Sequence, residues 1–587
     1  VIIPNNKHIQ FYKHQIKAQE DKWKEYANTE MHILIQEKKI FYGEIWGVQN
    51  NQGNVILRFK SGQVPRMKEM YFLGVFGAKA PDNLMDIKLT YEKFRSSKEH
   101  GYYTGINTEI STVNYWKVEN GWSYIIISGF DLALITKIDN VALKHNKHPK
   151  IVIAKKDPPI DYLLNLKEFV VKHPKNSILK LNLEVNEDHW NPINIDNSAE
   201  ITKKIIRLID SNNVTVIQGP PGTGKSYLAA EICDHYNKNG DSVCVTALTN
   251  KALIEVILKD GLIRALKQGI VYKTNLTSDE NKRIPNLKNA DELSPKQGEL
   301  LLATYYKLSQ HQVRLISESK RFDLLIIEEA SQAFLATIAM FSDIATKVLI
   351  IGDHKQITPI VLNQDQALEI FPKIDGIING LLTYSFNNND VSYRLTKTRR
   401  LTSSAAKLTG LFYNNSLKSI SDIDGKTNFK SKFRNLFHPN GGITIAKLPD
   451  SKNGFSDKDI YEFIAIITTD ILKNNNKQIA VLSPYIDTES SIYEAYSSMS
   501  HNFKNITIST IQKIQGLTSD FTIVYLPLRG HDLQDNLFNV ATSRAKQGTL
   551  IITYNNITFS KRASIETMTF INSCKDVSKE FLIELIK

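Results

Sequence analysis

The chain has 587 residues, 42% apolar and 23% charged, which suits three or four folding units of roughly 150 residues and excludes a disordered or fibrous chain. No apolar run approaches the ~18 residues of a membrane span, no signal-peptide pattern opens the sequence, and three cysteines are too few for a disulfide framework or a four-thiolate zinc site. Seventy-three Lys and Arg against 61 Asp and Glu give a net charge of +12, so a polyanionic partner such as nucleic acid is expected, with no membrane, in a reducing intracellular (cytoplasmic or nuclear) setting.

The sequence begins at Val1, so an initiator Met, and a fused domain or a protein partner beyond this chain, are expected outside it. Residues 7–40 are long-sided, charged and free of Gly and Pro, and predict a helical stalk. From Phe41 the texture changes to short β-rich runs (FYGEIWGV, VILRFKSG, STVNYWKVENGWSYIIISG) broken by Asn-Gly-type turns, which predict a small antiparallel barrel within about 41–138. A basic stretch (Lys144, Lys147, Lys150, Lys155, Lys156) and a helical pattern, PIDYLLNLKEFVVKH, lead out of it. The domain expected over 1–187 is therefore a stalk and an accessory barrel.

From residue 188 short apolar runs recur between helical stretches: VTVIQG, SVCVTAL, ELLLATY, FDLLIIE and KVLIIGD. Runs apolar on both faces that alternate with helices predict parallel strands buried between helix layers. A charged, periodless stretch, Tyr272–Gln297 within an inserted segment near 255–297, predicts a surface loop or small subdomain. A second series (QIAVLSPY, ITISTI, FTIVYL, GTLIITY) follows. The expectation is an α/β chain with two parallel-sheet domains in tandem, 188–365 and 366–587.

The sharpest chemical signal is Gly219-Pro220-Pro221-Gly222-Thr223-Gly224-Lys225-Ser226, between the strand VTVIQ and the helical SYLAAEICDHY. Glycines let such a loop wrap a phosphate with its N–H groups pointing inward at a helix N-terminus; Lys225 would reach the β- and γ-phosphates and Ser226 would ligate Mg²⁺. The site also needs carboxylates at a neighbouring strand tip, and Glu328-Glu329 after FDLLII supplies them. Glu328 is assigned to Mg²⁺ and Glu329 to activation of the attacking water, against the alternative of two solvated carboxylates at a strand exit.

These motifs, followed in order by Gly352-Asp-His-Lys-Gln356-Ile-Thr-Pro359, Arg394-Leu-Thr-Lys-Thr-Arg-Arg400, Leu411-Phe-Tyr-Asn-Asn-Ser-Leu417, Gln515-Gly516 and Val540-Ala-Thr-Ser-Arg544-Ala-Lys546, resemble those of superfamily 1 helicases, nearest the Upf-like branch. The resemblance implies two RecA-like domains with ATP and Mg²⁺ in the cleft between them, Arg400 and Arg544 as arginine fingers, and Gln356 with Asp353 as γ-phosphate sensor. It adds Arg399 and Gly516 to the nucleotide-binding set. It implies backbone contacts to single-stranded DNA or RNA from Thr249, Asn250, Thr304, Tyr305, Ser509 and Thr510, residue types that cap helices equally well. It also implies movement from 5′ to 3′.

The sequence departs from that pattern in four places. Glu328 stands where Asp is usual; Ala199 falls where an adenine-reading Gln is usual, with Asn197 as the nearest substitute; Arg399 replaces a base-stacking aromatic; and Thr518 stands where Glu is usual, resembling the Gln-Gly-x-Thr of the Pif-like and RecD-like branches. ATP with tolerance for other nucleoside triphosphates is therefore expected. His145, His148 and His531 lack ligand spacing and read as surface histidines. Two functions stay open: an ATP-driven helicase or translocase, and a nucleotide-switched nucleic-acid-binding protein that controls a partner with little unwinding.

Overall fold

The computed structural model describes the chain outside residues 1–3, 50–53, 61–62, 66–69, 77–87, 97–101, 129–147, 156–157, 187–189, 196–199, 277, 372, 422–428, 450–454, 501–504, 515, 528–533, 556–562 and 587. Its stalk is a helix over Pro4–Asn28 and a short one over Met31–Gln36. Proline suits the first helical position, where a backbone N–H would have no intrahelical acceptor. Phe11, Tyr12 and Ile16 form one buried face of the long helix, and the rings of Phe11 and Tyr12 each lie 5.8 Å from that of Phe334 in the first α/β unit. At the other end Tyr26 packs edge-on against Tyr91 at 5.1 Å, beside the barrel. The stalk therefore joins two bodies. The helix Asp161–Lys172 packs alongside it on the first unit through Leu166, Phe169 and Val170.

Six strands make the barrel: β1 Phe41–Gln49, β2 Asn54–Lys60, β3 Met70–Phe76, β4 Tyr102–Glu119, β5 Trp122–Ser128 and β6 Lys150–Ala154. It closes in the order β1-β2-β5-β4-β3-β6, every pairing antiparallel. Val55, Leu57 and Phe59 alternate inward and meet Ile125, Ile127, Ile151 and Ile153. The closing strand lies beyond the limit of about 138 expected from sequence. It pairs Phe41 with Ile153, a contact more than a hundred residues apart that local pattern does not reveal.

The first α/β unit is built on nine strands. The five apolar runs are β8 Val214–Gln218, β9 Val243–Ala247, β12 Leu300–Thr304, β13 Phe322–Ile327 and β14 Ala345–Gly352. The others are β7 Ile193–Ile195, β10 Val271–Lys273, β11 Lys288–Asn289 and β15 Ser392–Leu395. They form one parallel sheet in the order β11-β10-β12-β9-β13-β14-β8-β15-β7. Two differences from the sequence reading have physical causes. The inserted stretch is not wholly a loop, because β10 and β11 extend the sheet edge. Lys273 is completely buried there, and its ammonium is held 3.1 Å from Glu280. The boundary at 365/366 also falls inside this unit. Strand β15 returns beside β8 and carries β7 at its outer edge, so the unit runs to Leu395. A four-residue, half-polar strand after three helices gives no periodic signal.

The second unit has β18 Ile443–Leu448, β19 Ile479–Ser483, β20 Ile506–Thr510, β21 Ser519–Leu526, β22 Ala545–Tyr554 and β23 Lys575–Asp576. They form a six-stranded parallel sheet in the order β20-β19-β21-β22-β18-β23. Between the two sheets Lys397–Thr398 (β16) pairs with Lys418–Ser419 (β17) and leads the chain past the first unit's loop at Pro221. The expected architecture, two parallel-sheet domains in tandem behind a stalk and a barrel, is the one observed. Among the described residues no helix is long and apolar enough to cross a membrane.

Candidate active site

β8 ends at Gln218, and residues 219–224 turn the chain into the helix Lys225–Lys238. The turn needs left-handed backbone at Gly222 (φ +75°) and at Gly224 (φ +90°), the helix cap, which glycine adopts at no steric cost. The Thr223 hydroxyl donates to the Pro220 carbonyl at 2.9 Å and locks the loop. The Lys225 ammonium donates to the Gly219 carbonyl at 2.5 Å and the Pro220 carbonyl at 3.3 Å. Burial pulls its pKa below the usual lysine range, against the pull of Asp353 and Glu328 the other way. A desolvated cation at a helix N-terminus favours an anion beside it.

β13 delivers the two acids. Glu328 is 2% exposed, and the Ser226 hydroxyl donates to its Oε1 at 2.5 Å. A buried carboxylate and a hydroxyl side by side are hard oxygen donors, and they fit a divalent cation such as Mg²⁺. Glu329 sits in left-handed backbone at φ +53°, which turns it away from the strand direction. Burial, then the neighbouring Glu328 charge, pushes its carboxyl up to about 7, with Arg544 pulling it back. Its Oε2 is buried with no hydrogen-bond partner among the described residues.

The second unit brings two arginines to this cleft. Arg400 follows β16, where the Thr398 hydroxyl donates to the Pro221 carbonyl at 2.9 Å and the Arg399 N–H donates to the Gly222 carbonyl at 2.9 Å. Arg400 donates to the Ser543 carbonyl at 3.2 Å, and Arg544, 1% exposed, donates through Nε to the Val540 carbonyl at 2.8 Å. Burial lowers Arg400 to about 9, helped by the like charge of Arg544, and burial lowers Arg544 to about 10 against the pull of Glu329 and Asp353. One terminal nitrogen of Arg544 is buried without a hydrogen-bond partner among the described residues. A buried guanidinium at Arg544 beside the half-buried Arg400 and Lys225 is costly on its own, and an anion bearing several oxygens relieves that cost.

The expected sensor pair follows β14. Asp353 and Gln356 are buried, and the Gln356 amide donates to Asp353 Oδ2 at 2.9 Å. That same oxygen accepts the Tyr413 hydroxyl at 2.8 Å, and burial raises the Asp353 carboxyl above the usual carboxylate range. Gly516, expected among the nucleotide contacts, lies beside Glu329: a β-carbon there would stand 3.4 Å from Glu329 Oε1. Its neighbour Gln515 lies outside the described residues.

The expected strand contacts divide. Thr249 and Asn250 are exposed at the tip of β9, Ser509 is half-buried, and Thr510 is buried on β20. Thr249 and Thr304 cap helices, accepting the Ala252 and Lys307 N–H groups at 3.1 and 3.4 Å. Tyr305 requires a correction. Its side chain is completely buried and donates to the Glu328 carbonyl at 2.7 Å, so it braces the acid pair and has no surface to offer a strand; Tyr306 beside it is 42% exposed. At the rim of the cleft Arg399 is exposed, and Ala199 and Asn197 lie outside the described residues. Sequence reasoning passed over Tyr227, which is 45% exposed beside Glu231, because one aromatic after a phosphate loop carries no signal by itself. It placed Tyr413 within the Leu411–Leu417 motif without giving it a role, and passed over Asn539. His148 is exposed and stacks on Trp46 at 4.4 Å, while His145 and His531 lie outside the described residues.

Known proteins are similar to this chain in sequence. A family model described as an AAA domain matches residues 202–366. The DNA replication ATP-dependent helicase/nuclease DNA2 of Bos taurus is 24% identical over 389 residues, covering 59% of this chain and 36% of that protein. The ATP-dependent helicase upf1 of Schizosaccharomyces pombe is 24% identical over 449 residues, covering 65% of this chain and 46% of that protein. The chain thus spans less than half the length of either relative. The crystal structure of arterivirus nonstructural protein 10, a helicase, is similar with a TM-score of 0.33 and 12% identity, over 90% of this chain and 80% of that one.

Proposed function

We propose that this chain, related by its ordered motifs and its matches to the superfamily 1 helicases of the Upf-like branch, is an ATP-dependent helicase or translocase that moves along single-stranded nucleic acid. The observation that carries the reading is the convergence of Lys225, Ser226, Glu328 and Glu329 from one parallel-sheet unit with Arg400 and Arg544 from the other. A cleft whose cations come from both units is complete only while they are closed, which couples hydrolysis to their relative movement.

In this reading Lys225 and the loop amides hold the β- and γ-phosphates. Glu329 orients the attacking water and takes its proton. Arg400 and Arg544 neutralise charge that develops on the transferring phosphoryl oxygens, where water is excluded and such contacts act most strongly. Ser226 and Glu328 would hold Mg²⁺, which would supply charge neutralisation for the phosphates. Gln356 and Asp353 report whether the γ-phosphate is present. Thr249, Asn250, Ser509 and the backbone near Thr304 take the strand's phosphates without reading its bases.

The test is ATP hydrolysis with single-stranded DNA and RNA of equal length across a salt series, beside strand displacement from duplexes tailed at either end. Stimulation that falls steeply with salt, with unwinding from 5′ tails, supports the reading. Unwinding from 3′ tails alone overturns the polarity. Stimulated hydrolysis with no unwinding favours the nucleotide-switched binding protein, and no hydrolysis at all removes both.

A further inference from the structure

Tyr413 lies outside the phosphate-binding and acidic motifs, yet it is a meeting point of the two units behind the γ-phosphate sensor. It ends a 3₁₀ turn over Gly410–Tyr413 that belongs to the second unit's core, where Phe412 packs on Phe538 and Phe570. The next two residues, Asn414 and Asn415, both take left-handed backbone, at φ +51° and +57°, and the Asn415 N–H closes back on the Gly410 carbonyl at 2.8 Å. This tight turn holds the phenol, 3% exposed, pointing into the interface.

The hydroxyl makes two bonds whose directions are fixed by chemistry. The Asn539 amide nitrogen can only donate, and it donates to the hydroxyl at 2.7 Å. The hydroxyl's single proton is therefore directed to Asp353 Oδ2, at 2.8 Å, the oxygen that also accepts from Gln356. The same Asn539 amide donates to the Lys355 carbonyl at 2.9 Å, one residue before the sensor glutamine. Asn539 stands in the helix Asp535–Thr542, and the Arg544 guanidinium folds back on that helix to donate to the Val540 carbonyl. Phe538, Asn539 and Arg544 thus ride on one rigid element.

We propose that Tyr413 is a positioning residue that ties the sensor pair Asp353–Gln356 to the helix Asp535–Thr542 on which Arg544 folds back, so that occupancy of the γ-phosphate site sets the position of that arginine. The proposal rests on the reading of the cleft as a nucleotide hydrolase. It goes beyond that reading by assigning the coupling between sensor and finger to one buried hydroxyl. Removing the hydroxyl takes one of two donors from a buried carboxylate oxygen and one of two acceptors from a buried amide, and both losses fall on the closed interface. The nucleotide's own contacts, Lys225 and Ser226, are untouched.

The experiment compares the full chain with Tyr413→Phe, Asn539→Ala and the double variant in steady-state ATP hydrolysis with single-stranded DNA and RNA, alongside nucleotide Kd and Tm. Tyr413→Phe is expected to lower kcat at least tenfold with nucleotide Kd within twofold of wild type. Asn539→Ala is expected to give the same split, and the double variant is expected to be no slower than the slower single one, since all three break one relay. A kcat within twofold of wild type for Tyr413→Phe overturns the proposal. So does a joint loss of Tm and nucleotide affinity, the mark of a purely structural residue, or full additivity in the double variant. If Tyr413→Phe does not fold, Asn539→Ala decides by the same split. A wild-type chain that hydrolyses no nucleotide counts against the functional reading, and a wild-type chain with ordinary hydrolysis but unaltered variants counts against the relay alone.

Discussion

Gly222 and Arg400 touch across the cleft with no room between them: a β-carbon on Gly222 would lie 2.4 Å from Cβ of Arg400 and 2.5 Å from the Thr398 hydroxyl. The loop 219–226 of one unit and the segment bearing Arg400 of the other are therefore closely fitted. Gly222→Ala adds left-handed strain of roughly 1–3 kcal/mol at φ +75° and forces the two segments apart. The expected outcome is a kcat at least tenfold lower in nucleic-acid-stimulated hydrolysis. Wild-type turnover by this variant would mean that the working cleft does not bring these segments together.

Lys225→Ala should abolish most turnover, because no other cation from the loop reaches the phosphates. Glu329→Gln should retain nucleotide affinity and trap a nucleotide-bound state, since an amide keeps the shape of the carboxylate and cannot take a proton. Nucleotide Kd measured beside kcat checks both. Glu329→Gln turning over at the wild-type rate would remove the catalytic role assigned to that residue.

His8 makes the stalk sensitive to acid. It is completely buried where the first helix packs on the first unit, and burial lowers its pKa from 6.5 to about 4. Between these values the unfolded chain binds a proton that the folded chain refuses. Its effect on stability is therefore flat above about pH 6.5, and stability falls as pH drops from there to about 4. The loss between pH 7 and pH 5 is about 2 kcal/mol. Denaturant unfolding of wild type and His8→Phe at both pH values checks this, because contributions from other groups cancel in the comparison. Equal pH slopes for the two proteins would show that His8 does not stay neutral in the fold.

The chemistry was legible in the sequence wherever it required particular residues at fixed spacing. The loop that needs left-handed backbone at Gly222 and Gly224 turns into its helix at Lys225 and Ser226, and the pair Glu328-Glu329 stands at a strand tip, both where the sequence spacing put them. What was hidden depends on distant pairing. The sixth barrel strand is defined by its partner β1, and Ser392–Leu395 by its place beside β8. Tyr305 was misread because an exposed strand tip and a buried first turn of helix are adjacent in sequence, and only packing against Glu328 tells them apart. Tyr413 stands inside the Leu411–Leu417 motif and Asn539 directly before Val540, but nothing in the sequence assigns either a role; their meaning lies in a contact between units.

The nucleotide base should be read weakly. An amide that reads adenine makes paired hydrogen bonds, and losing such a pair costs specificity of about 1–3 kcal/mol. The sequence has Ala199 at that position, and a methyl group cannot supply them. Arg399 is exposed at the rim with its backbone tied to Gly222, so its guanidinium is available to stack on a base, but every nucleobase offers a π-face and stacking attracts without selecting. The triphosphate contacts proposed for Lys225, Ser226, Arg400 and Arg544 would be the same for every nucleotide. Hydrolysis of GTP, CTP and UTP should therefore approach that of ATP. Asn197 is the competing reader of adenine, and Asn197→Ala separates the two cases, since it should leave the four rates alike if the base is not read. The decisive quantity is kcat/KM for the four nucleotides: a preference for ATP above roughly a hundredfold, about 2.7 kcal/mol, would show that an adenine-specific contact exists in this pocket.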